Sequence, residues 1–262
     1  AVERLVDEQR SALVDELGPE TVAAFVAEPV VGATAGAVPS VPGYFRRIRE
    51  ICDANGILLI LDEVMCGMGR TGTLFACEQD GVAPDICAIA KGLGAGYAPI
   101  GAMLCSAEIY AAIENGSGFF QHGHTYLGHP TSCAGANAVL DRLVDDKLVE
   151  RVAPVGAMLR GALEERFGQH ANVGDIRGRG LFLGIELVSD RDTKAPLDPS
   201  RGVAGKLKKA AFAEGLICYP MSGTIDGANG DHILLAPPFI LSDDQVGELV
   251  DKLEAAMKTV LG

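Results

Sequence analysis

Residues Ile57 to Gly96 read ILLILDEVMCGMGRTGTLFACEQDGVAPDICAIAKGLGAG, and two apolar runs within them decide the fold class. Ile57–Leu61 and Ile86–Ala90 are short, apolar and uncharged until the residue that ends each, Asp62 in one case and Lys91 in the other. Runs of this kind read as strands buried on both faces of a sheet. Ligands of open α/β sheets bind beyond the carboxyl ends of the strands, so a carboxylate and an amine are expected at one rim. Positions 62 and 91 are far enough apart for the crossover that parallel strands require.

Working outward, Val22–Val30 reads as a strand ending at Glu28, with Pro29 breaking it. A Gly- and Pro-rich loop follows, then a helical pattern over Tyr44–Asn55 closed by Asn55-Gly56. The glycine-spaced loop Cys66–Gly72 separates the two central runs, and Ile100–Cys105 is a further short strand. The segment GSGFFQHGHTYLGHP (116–130) leads to a helix from Thr131 and a second helical run to about Phe167, in which Pro154 marks a break or kink. From Val173 the character changes: VGDIRGRG, LFLGIELV, GLICYP and HILLAPP are strand-like, with helices over Arg201–Glu214 and Ser242–Val260. Ser242 and Gln245 form a capping box for the last. Residues 1–150 are therefore expected to belong to a large α/β domain with a mostly parallel sheet, and 151–262 to a smaller α+β domain. At the N-terminus, Val2, Leu5, Val6, Leu13 and Leu17 form a helical stripe with no cap before it. This suggests that the chain starts inside a larger domain.

With 48% hydrophobic residues over 262 positions, the chain can bury a sizeable core. A net charge of −13 and the lack of any basic run argue against nucleic acid and anionic membranes as partners. No apolar run approaches the ~20 residues of a spanning helix. Neither is there a basic and apolar leader, so a cytoplasmic location is expected. The seven cysteines include no C-x-x-C pair and read as reduced thiols. His122 and His124 have no nearby carboxylate, so no metal is expected.

A buried Asp and Lys could be a simple brace, but such pairs contribute little net stability. Two ionisable groups at the functional rim of a sheet favour a site. A lysine there can bind an aldehyde as a Schiff base, and pyridoxal phosphate pairs that lysine with an acid on its ring nitrogen. A carboxylate at ~4 Å holds that nitrogen protonated by up to about 4 kcal/mol at an effective dielectric of 20.

The runs AEPVVGATAGAVPSVPGYF, LLILDEVMCGMGRTG, PDICAIAKGLGAGYAPIGA, HTYLGHP, RGRGLFLGIEL and GDHILLAPPFI occur in that order. Together they resemble the class III (ω-)aminotransferases, of pyridoxal-phosphate fold type I, over essentially the whole chain. The resemblance implies an amino transfer from an amine or amino acid to a keto acid of the pyruvate type. It implies that Lys91 holds the cofactor and moves the proton, that Asp62 contacts the ring nitrogen, and that Val64 packs on one ring face. It also implies that Thr125 reaches the cofactor phosphate of a neighbouring subunit, so that a homodimer shares its sites. Glu28 matches a glutamate on the substrate side, although an acid there could equally cap the following turn. Arg70 reads as structural.

Three departures from the family's pattern stand out. Met65 replaces a glutamine common after the DEV motif, and Tyr219 precedes Pro220 where related enzymes often place a substrate-binding arginine. The family's Gly/Ser phosphate-binding turn and its ring-stacking aromatic residue match nothing in this chain. A polypeptide lacking them is expected to bind the cofactor poorly and to be inactive alone. Two other readings exist. ILLILDE resembles a Walker B strand of a P-loop ATPase, though no G-x-x-x-x-G-K-[ST] motif is present. A non-catalytic remnant of the same fold is the other, against which the intact Asp62 and Lys91 argue.

Overall fold

The computed structural model describes residues 16–262 together with Arg4 and Glu8; the apolar stripe from Val2 to Leu13 lies outside the described residues. In chain order the strands are β1 (Ala24–Ala27), β2 (Val30–Val31), β3 (Val38–Pro39), β4 (Leu58–Asp62), β5 (Ile86–Ile89), β6 (Ala102–Cys105), β7 (Val173–Arg179), β8 (Phe182–Leu187), β9 (Tyr219–Ser222) and β10 (Asp231–Leu235). The helices are α1 (Tyr44–Asn55), α2 (Ala107–Asn115), α3 (Pro130–Asp145), α4 (Leu148–Phe167), α5 (Val203–Ala213) and α6 (Asp243–Leu261). Two compact units result. The first takes the chain up to Pro29, Ser40–Gly69 and Thr73–Lys147, and the second Val30–Pro39, Arg70–Gly72 and Leu148–Gly262.

The first unit is built on a four-stranded sheet of order β1-β4-β5-β6. β1, β4 and β5 run parallel, with Ala27 opposite Leu61 and Asp62 opposite Ala88, while β6 is antiparallel to β5. Helix α1 supplies the cover, because Phe45, Ile48 and Cys52 recur at helical spacing and pack with Leu59 and Leu61. Gly56 (φ 67) ends it in the left-handed region and donates its N–H to Cys52 O. The expectation of strands buried on both faces is corrected here. β4 and β5 alternate, with Leu59, Leu61, Cys87 and Ile89 buried and their neighbours partly open, and Leu58 is 37% exposed. Four apolar residues in a row look alike in sequence whether one face or both are covered. The strand expected over Val22–Val30 is also shorter: β1 stops at Ala27, and past Pro29 residues Val30–Val31 pair instead with Val38–Pro39 as a small antiparallel ribbon of the second unit.

The second unit has an antiparallel sheet, β7-β8-β10-β9. β10 is buried at every position. Its core joins Val152, Leu159 and Leu163 of α4 and Leu249 and Leu253 of α6 to Leu183, Ile185 and Ile233 of the sheet. Helix α4 runs through Pro154 without ending; near the start of a long helix the ring forfeits only the bond to residue 150. Ser242 and Gln245 close the capping box of α6 at 3.3 and 3.0 Å. Among the described residues no helix is long and apolar enough to cross a membrane.

Candidate active site

Three strands of the first sheet end side by side, and each delivers a polar residue at its carboxyl end. Glu28 follows β1 and is half-buried; Asp62 is the last residue of β4; Lys91 follows β5 by two residues and is exposed. Parallel pairing brings this about, since the shared register sets the ends of adjacent strands at one rim. The link between β4 and β5 continues past the sheet, where the Glu63 N–H donates to Ala88 O at 2.9 Å.

Asp62 is fixed by its own turn, with Oδ1 accepting the Val64 N–H at 3.0 Å. This is the local bond that an Asp at a strand-to-turn junction makes readily. Val64 itself is half-buried in that turn. Lys91 opens a short 3-10 turn, Lys91–Gly94, with φ +40. Met68 (φ 54) and Ala95 (φ 48) are likewise left-handed without being glycine. Backbone strain of about 1–3 kcal/mol per residue gathers at sites where the surroundings impose it. One such constraint is visible: a Cβ on Gly92 would lie 2.9 Å from Met68 Cβ, so the loop after β4 packs tightly against the residue next to Lys91.

Beneath the rim sits a group that composition alone did not mark, the fully buried carboxylate of Glu63. It accepts the N–H of Ala76 (2.6 Å) and of Cys77 (2.8 Å). Burial pushes its pKa above the usual carboxylate range, and those two donors oppose the shift. Burial likewise pushes the Cys87 thiol up to about 12, with the charges of Glu63 and Asp62 adding to it. The visible signal was the second acid in Asp62-Glu63: side chains alternate along an extended chain, so two successive acids cannot both point to the rim.

Thr125 lies in an exposed turn between α2 and α3. In that segment the His122 and His124 rings meet edge to face at 5.1 Å. Among the described residues no group of three or more His, Cys, Asp or Glu could hold a metal ion. All seven cysteines are free, four of them buried. Arg70 belongs to the second unit, where its Nη1 donates to Leu181 O (3.1 Å) and Pro237 O (2.6 Å) and its guanidinium lies 4.6 Å from the Phe239 ring centre. Burial lowers its pKa to about 10. Tyr219 begins the edge strand β9 and is exposed.

The family model described as aminotransferase class-III matches residues 2–257. An aminotransferase of Gibberella zeae is 47% identical over the whole of this chain, which spans 51% of that protein. Among solved structures, an (S)-enantioselective omega-transaminase from Thermomicrobium roseum superposes with a TM-score of 0.91 at 40% identity, over 100% of this chain and 56% of its own. An amine transaminase from an uncultivated Pseudomonas species, in its PLP-bound (internal aldimine) form, does so at 0.90 and 40%, over 99% and 57%. The chain thus spans about half the length of the relatives it matches.

Proposed function

The chain belongs to the class III aminotransferases, and on that premise we propose that it forms part of an enzyme moving an amino group from an amine or amino acid to a pyruvate-type keto acid. The observation that carries this reading is the placement of Asp62 and Lys91 at the ends of adjacent parallel strands. The pair suits pyridoxal phosphate, which offers an aldehyde to an amine and a ring nitrogen to a carboxylate. When bound, the cofactor supplies an electron sink for the carbon that loses or gains the amino group.

Lys91 would hold the cofactor through its amine and then act as the base that moves a proton on the substrate. Exposure of Lys91 suits both roles, since the side chain must reach a ligand. Asp62 would hold the protonated ring nitrogen of the cofactor, and the bond from the Val64 N–H to its Oδ1 keeps the carboxylate from swinging away. Val64, on the same turn, would flank the ring, and Glu28 would face the substrate. Thr125, exposed in its turn, would reach the phosphate of a second subunit, making a homodimer with shared sites. Residues 1–150 would form the cofactor domain and 151–262 the small domain of a cytoplasmic enzyme. The 262-residue chain by itself would be inactive, because nothing in it matches the family's phosphate-binding turn.

The reading is tested by titrating pyridoxal phosphate into the chain joined to the part of a relative that it does not span, and into the same protein carrying Lys91→Ala. A lysine-bound absorbance band and amino transfer to pyruvate are expected for the first and neither for the second. Equal behaviour of the two would overturn it.

A further inference from the structure

Glu63 is fully buried, and an apolar residue in its place would fill the core without desolvating a charge. Its bonds explain what the carboxylate adds. Oε2 and Oε1 hold the first two N–H groups of the turn Ala76–Asp80, the backbone N–H holds Ala88 O of β5, and the backbone O accepts the Gly67 N–H at 2.9 Å. One residue thereby ties together β4, β5, the loop after β4 and the 76–80 turn.

That loop leaves no slack. A Cβ at position 67 would lie 2.7 Å from Glu63 O and 2.8 Å from Oε2, so only glycine lets the chain pass over the carboxylate. One residue further, Met68 is strained and pressed on Gly92, beside Lys91. On the other side Glu63 is covalently joined to Asp62, whose carbonyl also accepts the Cys66 thiol at 3.7 Å. A shift of the buried carboxylate is therefore transmitted to both ends of the Asp62–Lys91 pair.

We propose that Glu63 is a positioning residue for the Asp62–Lys91 rim, clamping the turn that presents the acid to the strand that presents the lysine. The inference rests on the reading of that rim as the cofactor site. Glu63→Gln keeps the shape but turns an amide N–H₂ toward one of the two backbone donors, leaving that N–H without an acceptor. Exchange of the amides in 64–68 and 89–93 should then accelerate about ten- to a hundredfold, with little change in α1. Glu78→Gln, in the same 76–80 turn but exposed, should leave those two segments unchanged. If Glu63→Gln fails to fold, Gly67→Ala presses on the same carboxylate and should produce the same two-segment signature.

Unchanged exchange, exchange raised evenly through the first unit, or an equal effect of Glu78→Gln would each overturn the proposal. A second readout is borohydride trapping of pyridoxal phosphate in the chain joined to the part of a relative that it does not span: Glu63→Gln should lower labelling of Lys91 relative to the other lysines at least about threefold. The exchange measurement needs no cofactor. If wild-type Lys91 is not selectively trapped while the exchange signature is present, it is the enzymatic reading that fails and the clamp that stands.

Discussion

Lowering the pH from about 7.5 to about 5 should destabilise the second unit by about 2 kcal/mol through His232 alone. His232 lies within β10 at 1% exposure, with Nδ1 2.8 Å from Thr224 Oγ1. Its Nε2 faces the backbone at Ala33 without closing a well-formed hydrogen bond. A Cβ on Gly36 would come within 2.6 Å of the ring, so the 32–37 loop lies directly on it. Burial is the main force lowering its pKa from 6.5 to about 4, the Arg177 guanidinium adds to this, and Glu186 opposes it. Arg177 itself is pinned nearby, donating to Gly36 O (2.9 Å), Ala35 O (2.7 Å) and the carboxylates of Asp175 and Glu186.

Because the folded pKa lies below the unfolded one, the fold favours the neutral ring. The stabilisation is complete above 6.5 and is lost as the pH falls through 6.5 toward 4. The full window is worth about 3 kcal/mol, of which about 2 is gone by pH 5. Since the chain has no tryptophan, chemical denaturation is best followed by far-UV circular dichroism, at both pH values, for the wild type and for His232→Gln. The variant cannot titrate at this position, so the wild type should lose about 2 kcal/mol more than it does on acidification. Parallel losses in the two proteins would refute the reasoning.

Two further outcomes follow from close contacts in the second unit. Arg70→Met removes two bonds from a guanidinium to carbonyls and a ring contact, and should cost about 3–5 kcal/mol in denaturant titrations. The loss should be the same at about pH 6 and pH 8, since a group with a pKa near 10 stays charged at both. Gly184→Ala would place a Cβ 2.1 Å from Gly36 O, a backbone atom that cannot rotate away. The 32–37 loop must lift, destabilising the unit by about 1–3 kcal/mol or more, with faster amide exchange in that loop as the specific sign.

Local pattern determined a good deal of this protein. Apolar runs that stop at Asp62 and before Lys91 announced two strands and the rim they share, and Asn55-Gly56 and Ser242 with Gln245 marked helix ends through bonds that span only a few residues. The order of the motifs was enough to indicate the family, and the family model matches. What tertiary structure alone decided involves partners far apart in the chain. Val30 leaves the line of β1 for the second unit because the 32–37 loop is gripped by Arg177, 141 residues from Gly36, and seated on Gly184 and His232. Arg70 became a half-buried tie only through carbonyls 111 and 167 residues away. Glu63 read as the second acid of a pair until its donors, Ala76 and Cys77, were folded over it. Periodicity and caps report interactions within a turn or a strand. Which buried charge meets which distant backbone group depends on how the elements pack, and no short window of sequence contains that.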